Sequence, residues 1–441
     1  MILFEYFCII RFTVIYNRIG KNIYKERKNI RAGTCRCRHG GRSISLAKSD
    51  NYGTYVFESK NNHMKRFHND IQVEPVKNFK NFQIFYRVPF QVYHDDSNWV
   101  APFWNEMKDF FSKKNPFWSH AECQLFIARK NNEVVGRIAA IIDSKYCETV
   151  GEKIGYFGFF ECVQDFECAN VLLQTAQDWL LSKEMKVMRG PIDGRVDIGC
   201  GFLYTGYNSR PCLLSTYSPA YYVTYAENFG MKKIKDQLSF YIDLTKPIPQ
   251  QLEEKARLCE VSGVTVRSFN RLRTQMELKW WVKLFLETFS DHWGYVPVPE
   301  EEVKTRFGIK QLRWFVDSHL FLVAEIKGSP IAYIWSTPDY NQLFQKMNGR
   351  IGPFQILQFL YKKRQINVGK LHLIGIKKEF RNINIGSLLN YKVLIEMKNR
   401  GYIGADVGWI DEENTSAHTT IAITGATLYK TYRVFEKKLT V

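Results

Sequence analysis

One order of elements is written twice in this chain, on either side of the proline-containing segment 245-TKPIPQ-250, and that repetition constrains the fold more than any other feature. In the first half, 124-QLFIARKNNEVVGRIAAIID-143 reads as a hairpin, because two β-rich runs flank the turn pair Asn131-Asn132. The run 153-KIGYFGFFEC-162 predicts a strand, and residues 167–185 predict a helix through Val171, Leu172, Ala176, Trp179 and Leu180. A short strand over 186–190 closes on Pro191, followed by a helix over 218–230 and a strand over 236–244. In the second half, a strand over 264–269 and an amphipathic helix over 276–289 precede a hairpin over 319–336 around Lys327-Gly328. Then come the strand 371-LHLIGI-376, a helix opened by 379-EFRNINIGSLLNYKVL-394, a strand over 404–410, a helix from about Ser416 to Ile423 and a strand over 427–439. Two copies of one α/β architecture of the α+β type are therefore expected, with units at 79–245 and 246–441 behind an extension over 1–78. A chain of 441 residues is longer than one core usually grows, which agrees with two units.

Net charge is +18, and residues 1–75 hold 14 Lys/Arg against 6 Asp/Glu, so the extension is strongly basic and the rest mildly so. That extension is expected to be poorly ordered or to lie at an interface. Its start, 2-ILFEYFCIIRFTVIY-16, is interrupted by Glu5 and Arg11 and lacks a preceding basic run, so neither a signal peptide nor a spanning helix is expected there. The 10 cysteines are scattered without a disulfide framework, which points to reduced thiols and the cytoplasm, while the apolar start beside the basic stretch allows an interfacial helix and so peripheral contact at the inner membrane face. The segment 35-CRCRH-39 lacks a second ligand pair at finger spacing, so no metal site is expected. Nucleic acid is not an expected partner, since the basic region carries no recognisable binding module.

Chemistry concentrates at the strand-turn-helix over 371–394. A helix N-terminus offers unpaired N–H groups and a partial positive charge of about half an elementary unit, which suits phosphate oxygens. Arg381 adds a permanent charge, and Ser387 stands where it could cap the helix or donate to a phosphate. Turns that wrap a pyrophosphate favour glycine for its left-handed backbone, and Asn384 stands at that place. Asparagine is among the few residues that visit this conformation routinely, so the turn stays accessible. Downstream, Asn414, Ala417 and Gly425 stand at offsets 0, +3 and +11 in 414-NTSAHTTIAITGA-426.

Together these residues resemble the CoA signature of the GNAT superfamily of N-acetyltransferases. Over residues 80–440 the chain is similar to a bacterial tandem-GNAT acyltransferase family, through 115-NPFW-118, 136-GRIAA-140, 155-GYFGFFE-161, 190-GP-191, 292-HWGYVP-297, 338-PDYNQLFQKMNGRIGP-353 and 425-GATLYKTYRVFEKKL-439. The resemblance implies two GNAT-like units, each a mixed, mostly antiparallel sheet flanked by helices, and members that include lipid N-acyltransferases such as bacterial ceramide synthases. It implies acyl-CoA or acetyl-CoA as co-substrate, with the backbone of the strand holding Ile374 and Ile376 against the pantetheine. Arg381, Ile383, Asn384, Ile385, Gly386 and Ser387 would hold the pyrophosphate, and Asn414 the CoA arm. An amine acceptor would attack the thioester directly.

GNAT enzymes commonly place a tyrosine seven residues after the asparagine to protonate the leaving thiolate, and here that position is Ile421. Either Tyr429 or Tyr432 from the last strand substitutes, a phenol being a workable acid for a thiol, or the thiolate leaves with help from water. A general base is sought among Glu412, Glu413 and His372, whose ordinary alternatives are surface carboxylates and a half-buried strand histidine. The equivalent turn of the first unit, 160-FECVQDFECANVLL-173, has Asp165 and Glu167 at the helix start and no glycine, which suits the helix dipole and repels a pyrophosphate. One CoA site, in the second unit, is expected, with Tyr221, Tyr222 and Tyr225 of the first unit lining an acceptor or acyl pocket or packing its core. The acceptor is open between a lipid amine such as a sphingoid base and a small or protein amine, and a non-catalytic ligand- or partner-binding role is the alternative from another class.

Overall fold

A computed structural model describes residues 66–68, 70–290, 292–306 and 316–440; the 35-CRCRH-39 segment, the apolar start and nearly all of the basic extension lie outside the described residues. The first half holds strands β1 (Arg66–His68), β2 (Ile71–Pro75), β3 (Ala121–Lys130), β4 (Glu133–Asp143), β5 (Ile154–Cys162), β6 (Val187–Gly190), β7 (Phe202–Thr205) and β8 (Lys232–Asp243). The second holds β9 (Thr265–Ser268), β10 (Phe321–Ile326), β11 (Ser329–Pro338), β12 (Val368–Ile376), β13 (Gly404–Asp411) and β14 (Thr427–Lys438). At the β3–β4 turn both Asn131 and Asn132 have positive φ, 51° and 66°, the backbone that a two-residue hairpin turn requires.

The helices that matter below are α1 (Phe79–Val92), α2 (Phe166–Ser182), α3 (Tyr221–Asn228), α4 (Gln250–Val261), α5 (Thr274–Phe289), α6 (Glu300–Arg306), α7 (Pro353–Lys362), α8 (Ile385–Asn399) and α9 (Thr415–Ala422). α3 is shorter than the 218–230 span predicted, and α4 begins directly after the linker, where no helix was expected. Its buried residues Leu252, Ala256 and Cys259 fall on one face at helical spacing, so tertiary packing selects a mostly polar segment as helix.

All strands join one mixed, mostly antiparallel 14-stranded sheet in the order β1-β2-β3-β4-β5-β6-β14-β8-β13-β12-β11-β10-β9, with β7 also on β14. Among the described residues, only β5–β6 and β12–β13 are parallel pairs, one in each half. The order shows an exchange that the linear succession of elements does not reveal. β8, the last strand before the linker, pairs with β13, while β14, the last strand of the chain, lies between β6 and β8.

Alternation along the strands sorts the core by face. Phe126 and Ala128 join the cluster under α2 and α3, whereas Leu125 and Ile127 join the one under α1. In the second half, Leu322 and Ile334 pack with α4 and α8, whereas Phe321 and Tyr333 pack with α5. The α1 and α5 sides form one continuous cluster, in which Phe82 and Phe85 of α1 are buried together with Trp281 and Phe285 of α5. Burying a side chain such as Phe85 stabilises by roughly 1.5–3 kcal/mol, so this shared core binds the halves strongly.

Candidate active site

β12 runs beside β13 only over Val368–Leu371, opposite residues 404–407. Beyond that point β13 keeps β8 as its partner through Ile410 and Asp411, while β12 keeps β11. The edge of β12 from His372 to Ile376 therefore faces a gap, with no strand paired to it on that side among the described residues. Register with β11 shifts between Trp335 and Ser336, which makes His372 the extra residue of a bulge, a device that re-aims a side chain. Its Nε2 lies 2.8 Å from Thr337 Oγ1, and its ring stacks on Trp335 at 4.7 Å between centroids. Burial, aided by the charge of Lys370, holds its pKa well below the usual histidine value, so the imidazole is neutral at pH 7.

At the end of the same strand, Asn384 stands at φ 61°, ψ 21°, in the left-handed region, and makes no side-chain cap to α8. There is no acidic residue in the first turn of α8, and Lys377, Lys378 and Arg381 precede it. Arg381 is exposed, with Nε 3.3 Å from the Ile376 carbonyl oxygen. Ile383 is half-buried and Ile385 is buried, both against the hydrophobic core. A Cβ at Gly386 would come within 3.2 Å of Thr420 on α9, so α8 and α9 approach closely there. Ser387 is 5% exposed, so its side chain lies beneath the turn and its role as a phosphate donor would fall to its N–H. Asn414 caps α9, its Oδ1 accepting from the Ala417 N–H at 3.0 Å, which accounts for an asparagine there and leaves its amide N–H groups free of that bond.

Beside the gap lies a buried polar cluster that the sequence reading missed in part. Lys370 on β12 is ion-paired with Asp406 on β13, both inaccessible, and Tyr429 on β14 donates its hydroxyl to the other oxygen of Asp406. Ser215 Oγ lies 3.3 Å from Lys370 Nζ, and Cys212 Sγ lies 3.9 Å from the Tyr429 hydroxyl. Burial, then the Asp406 charge, raises both the Tyr429 and Tyr432 phenols well above the usual value, and burial likewise keeps the Cys212 thiol protonated. Tyr432 is fully buried, its ring edge-on to Trp409 at 5.7 Å, with Ser215 and Trp409 as the polar neighbours of its hydroxyl. Lys370 and Asp406 were legible in principle, as charged residues amid the apolar runs of their strands.

Glu412 and Glu413 stand apart from that cluster in their bonding. Glu412 accepts from the Asp236 N–H at 2.9 Å and pairs with Lys233 at 2.7 Å, while Glu413 is exposed and pairs with Lys235 at 2.7 Å. Both carboxylates are thus engaged by lysines of β8.

The matching place in the first half is closed from within. Asp165 caps α2, accepting from the N–H groups of Glu167 and Cys168, and pairs with Lys130 at 2.8 Å. Asp193 Oδ1 accepts the Phe159 N–H of β5 at 2.6 Å, and a Cβ at Gly158 would lie 2.2 Å from the Ile192 carbonyl oxygen. Tyr222 donates to Glu161 at 2.9 Å, Tyr221 donates to the Cys162 carbonyl at 2.9 Å, and Tyr225 packs against Tyr221, so these three tyrosines serve the first-half core.

The two halves repeat one architecture, with one gap open and the other filled. The fold is shared with a tandem GNAT protein from the clavulanic acid biosynthesis pathway, at TM-score 0.50 and 10% identity over 84% of this chain and 99% of that one. No protein-family model matches the chain. It is 30% identical over 378 residues to the bacterial ceramide synthase of Caulobacter vibrioides (strain NA1000 / CB15N), covering 84% of this chain and 98% of that protein. It is also 30% identical over 372 residues to Protein YghO of Escherichia coli (strain K12), covering 82% of this chain and 94% of that protein. The chain belongs to this family of tandem GNAT-type N-acyltransferases. It is an acyltransferase, and the non-catalytic alternative gives way.

Proposed function

We propose that the chain transfers an acyl group from acyl-CoA to the amino group of a lipid of the sphingoid-base class, by direct attack on the thioester. The observation that carries the reading is the contrast between the halves: the β12–β13 gap and the α8 N-terminus are open, while their counterparts are filled by Asp193 and Asp165. The acceptor class is taken from the relative named a ceramide synthase, which matches at 30% identity over 84% of this chain.

The residues fit the co-substrate. The N–H groups of Ile385, Gly386 and Ser387, with Arg381 beside them, would hold the pyrophosphate, Asn384 supplying the turn and Ile383 its apolar flank. The backbone of Ile374 and Ile376 would pair with the pantetheine, and the free Asn414 amide would reach the CoA arm. As the amine nitrogen bonds to the acyl carbon, the carbon–sulfur bond breaks, and two protons must move. His372, neutral and re-aimed by its bulge, would take the proton from the amine. Tyr432, whose hydroxyl has Ser215 and Trp409 as neighbours, would give its proton to the departing sulfur, while Tyr429 stays bound to Asp406. Cys212 is a protonated thiol and forms no acyl-enzyme in this scheme.

The test is mass spectrometry of products from the purified chain given palmitoyl-CoA or acetyl-CoA with sphinganine and a panel of small amines. N-palmitoyl-sphinganine with release of free CoA is the expected product. Acetylation of small amines alone would overturn the lipid assignment, and release of CoA without any amide would overturn the amine acceptor.

A further inference from the structure

We propose that the outer face of α7 is a docking surface for an anionic lipid bilayer. α7 carries large apolar side chains in water: Phe354 is 73% exposed, Leu357 64% and Tyr361 79%, and Ile351 just before the helix is 51% exposed. At 100° per residue, positions 354, 357 and 361 share one face of the helix. The opposite face is held in place, since Phe359 packs against Tyr340 at 5.5 Å and against Phe344 at 5.9 Å between ring centroids. No residue of α7 is fully buried, so a helix this apolar is only half covered by its own fold.

Charge around the face selects the occupant. From Asn341 to Lys378 the sequence holds no Asp or Glu, while Lys346, Arg350, Lys362, Lys363 and Arg364 flank the helix. None of these five makes an ion pair with a described residue, and Lys346, Arg350, Lys363 and Arg364 are exposed. An apolar face with a basic margin is what an in-plane interfacial helix presents to acyl chains and anionic headgroups together. A second copy of the chain fits worse, because a two-fold contact would set this basic margin against itself. α7 leads through Lys363–Gln365 into β12, so the docked face and the acyl-transfer strand are joined by a short link.

Full-length protein is floated with vesicles of phosphatidylcholine containing 30% phosphatidylglycerol, and hydrogen exchange is followed with and without vesicles. Expected are binding in 0.1 M salt and slowed exchange confined mainly to residues 351–364. The Phe354→Ser/Leu357→Ser variant should bind at least tenfold more weakly with an unchanged thermal midpoint, and Lys363→Glu/Arg364→Glu should lose binding at low salt. Vesicle binding that both variants retain, or protection that falls elsewhere in the chain, would overturn the proposal. So would self-association of the wild type that the Phe354→Ser/Leu357→Ser variant abolishes without any vesicle effect, which would assign the face to a second copy.

Discussion

At the scale of single residues, Asn384 is where the backbone asks for glycine and receives its nearest substitute. An ordinary residue pays about 1–2 kcal/mol for left-handed geometry and asparagine less. Asn384→Ala should therefore lower unfolding free energy by about 1 kcal/mol in urea titrations, whereas Asn384→Gly should leave it within a few tenths and tighten CoA binding by calorimetry. The two tyrosines of β14 separate in the same way. Tyr429→Phe removes a hydrogen bond from buried Asp406 and should cost about 1–3 kcal/mol of stability. Tyr432→Phe removes a hydroxyl whose neighbours are the uncharged Ser215 and Trp409, so it should cost at most about 1 kcal/mol of stability and lower kcat with KM for acyl-CoA nearly constant. An unaltered kcat in that variant would take the acid role away from Tyr432.

At the scale of elements, α9 starts at a residue with two claims on it. The cap that Asn414 Oδ1 accepts from the Ala417 N–H accounts for stability, and the amide N–H groups outside that bond are the ones we propose to meet the CoA arm. Asn414→Ala should destabilise by about 1 kcal/mol through the lost cap, and Asn414→Ser should restore most of it. If Asn414→Ser also binds CoA with wild-type affinity in calorimetry, the contact with the CoA arm is wrong and the residue is a cap alone. Most elements were readable in the chain order, because a two-residue turn or a 3.6-residue apolar period is written in neighbouring residues. α4 was not, since its apolar positions are few and gain their meaning only against α8.

For the molecule as a whole, two devices join the halves. His120 donates to Asp143 at 2.9 Å and, through its other nitrogen, to Glu302 of α6 at 3.0 Å, with Arg195 on the second oxygen of Glu302 at 2.6 Å. Burial alone would lower its pKa, but the two carboxylates outweigh it and raise it from 6.5 to about 9. A raised pKa means stability that is complete below 6.5 and lost as pH climbs through about 9. His120→Gln should thus destabilise most near pH 6 and almost not at all near about pH 10 in urea titrations. The second device is the strand exchange, and we propose the module boundary at residue 245 on the chain rather than on the sheet. Fragments 1–245 and 246–441 should each be insoluble alone, since each lacks strands its sheet needs, and should copurify when co-expressed. Two separately soluble, folded fragments would refute that interdependence.

By itself the amino-acid order determined the doubled architecture, the Asn131-Asn132 hairpin, the strand and helix around Asn384, and the closing of the first-half loop by Asp165. Each of these depends on φ preference, capping or periodicity among residues close in sequence. Only the tertiary structure decided that β14 lies between β6 and β8, because a sheet edge offers the same row of N–H and C=O groups to any strand and local sequence does not name its partner. That choice brings Tyr429 to Asp406 and Tyr432 to Trp409, so the surroundings of the proposed acid come from pairing between distant strands.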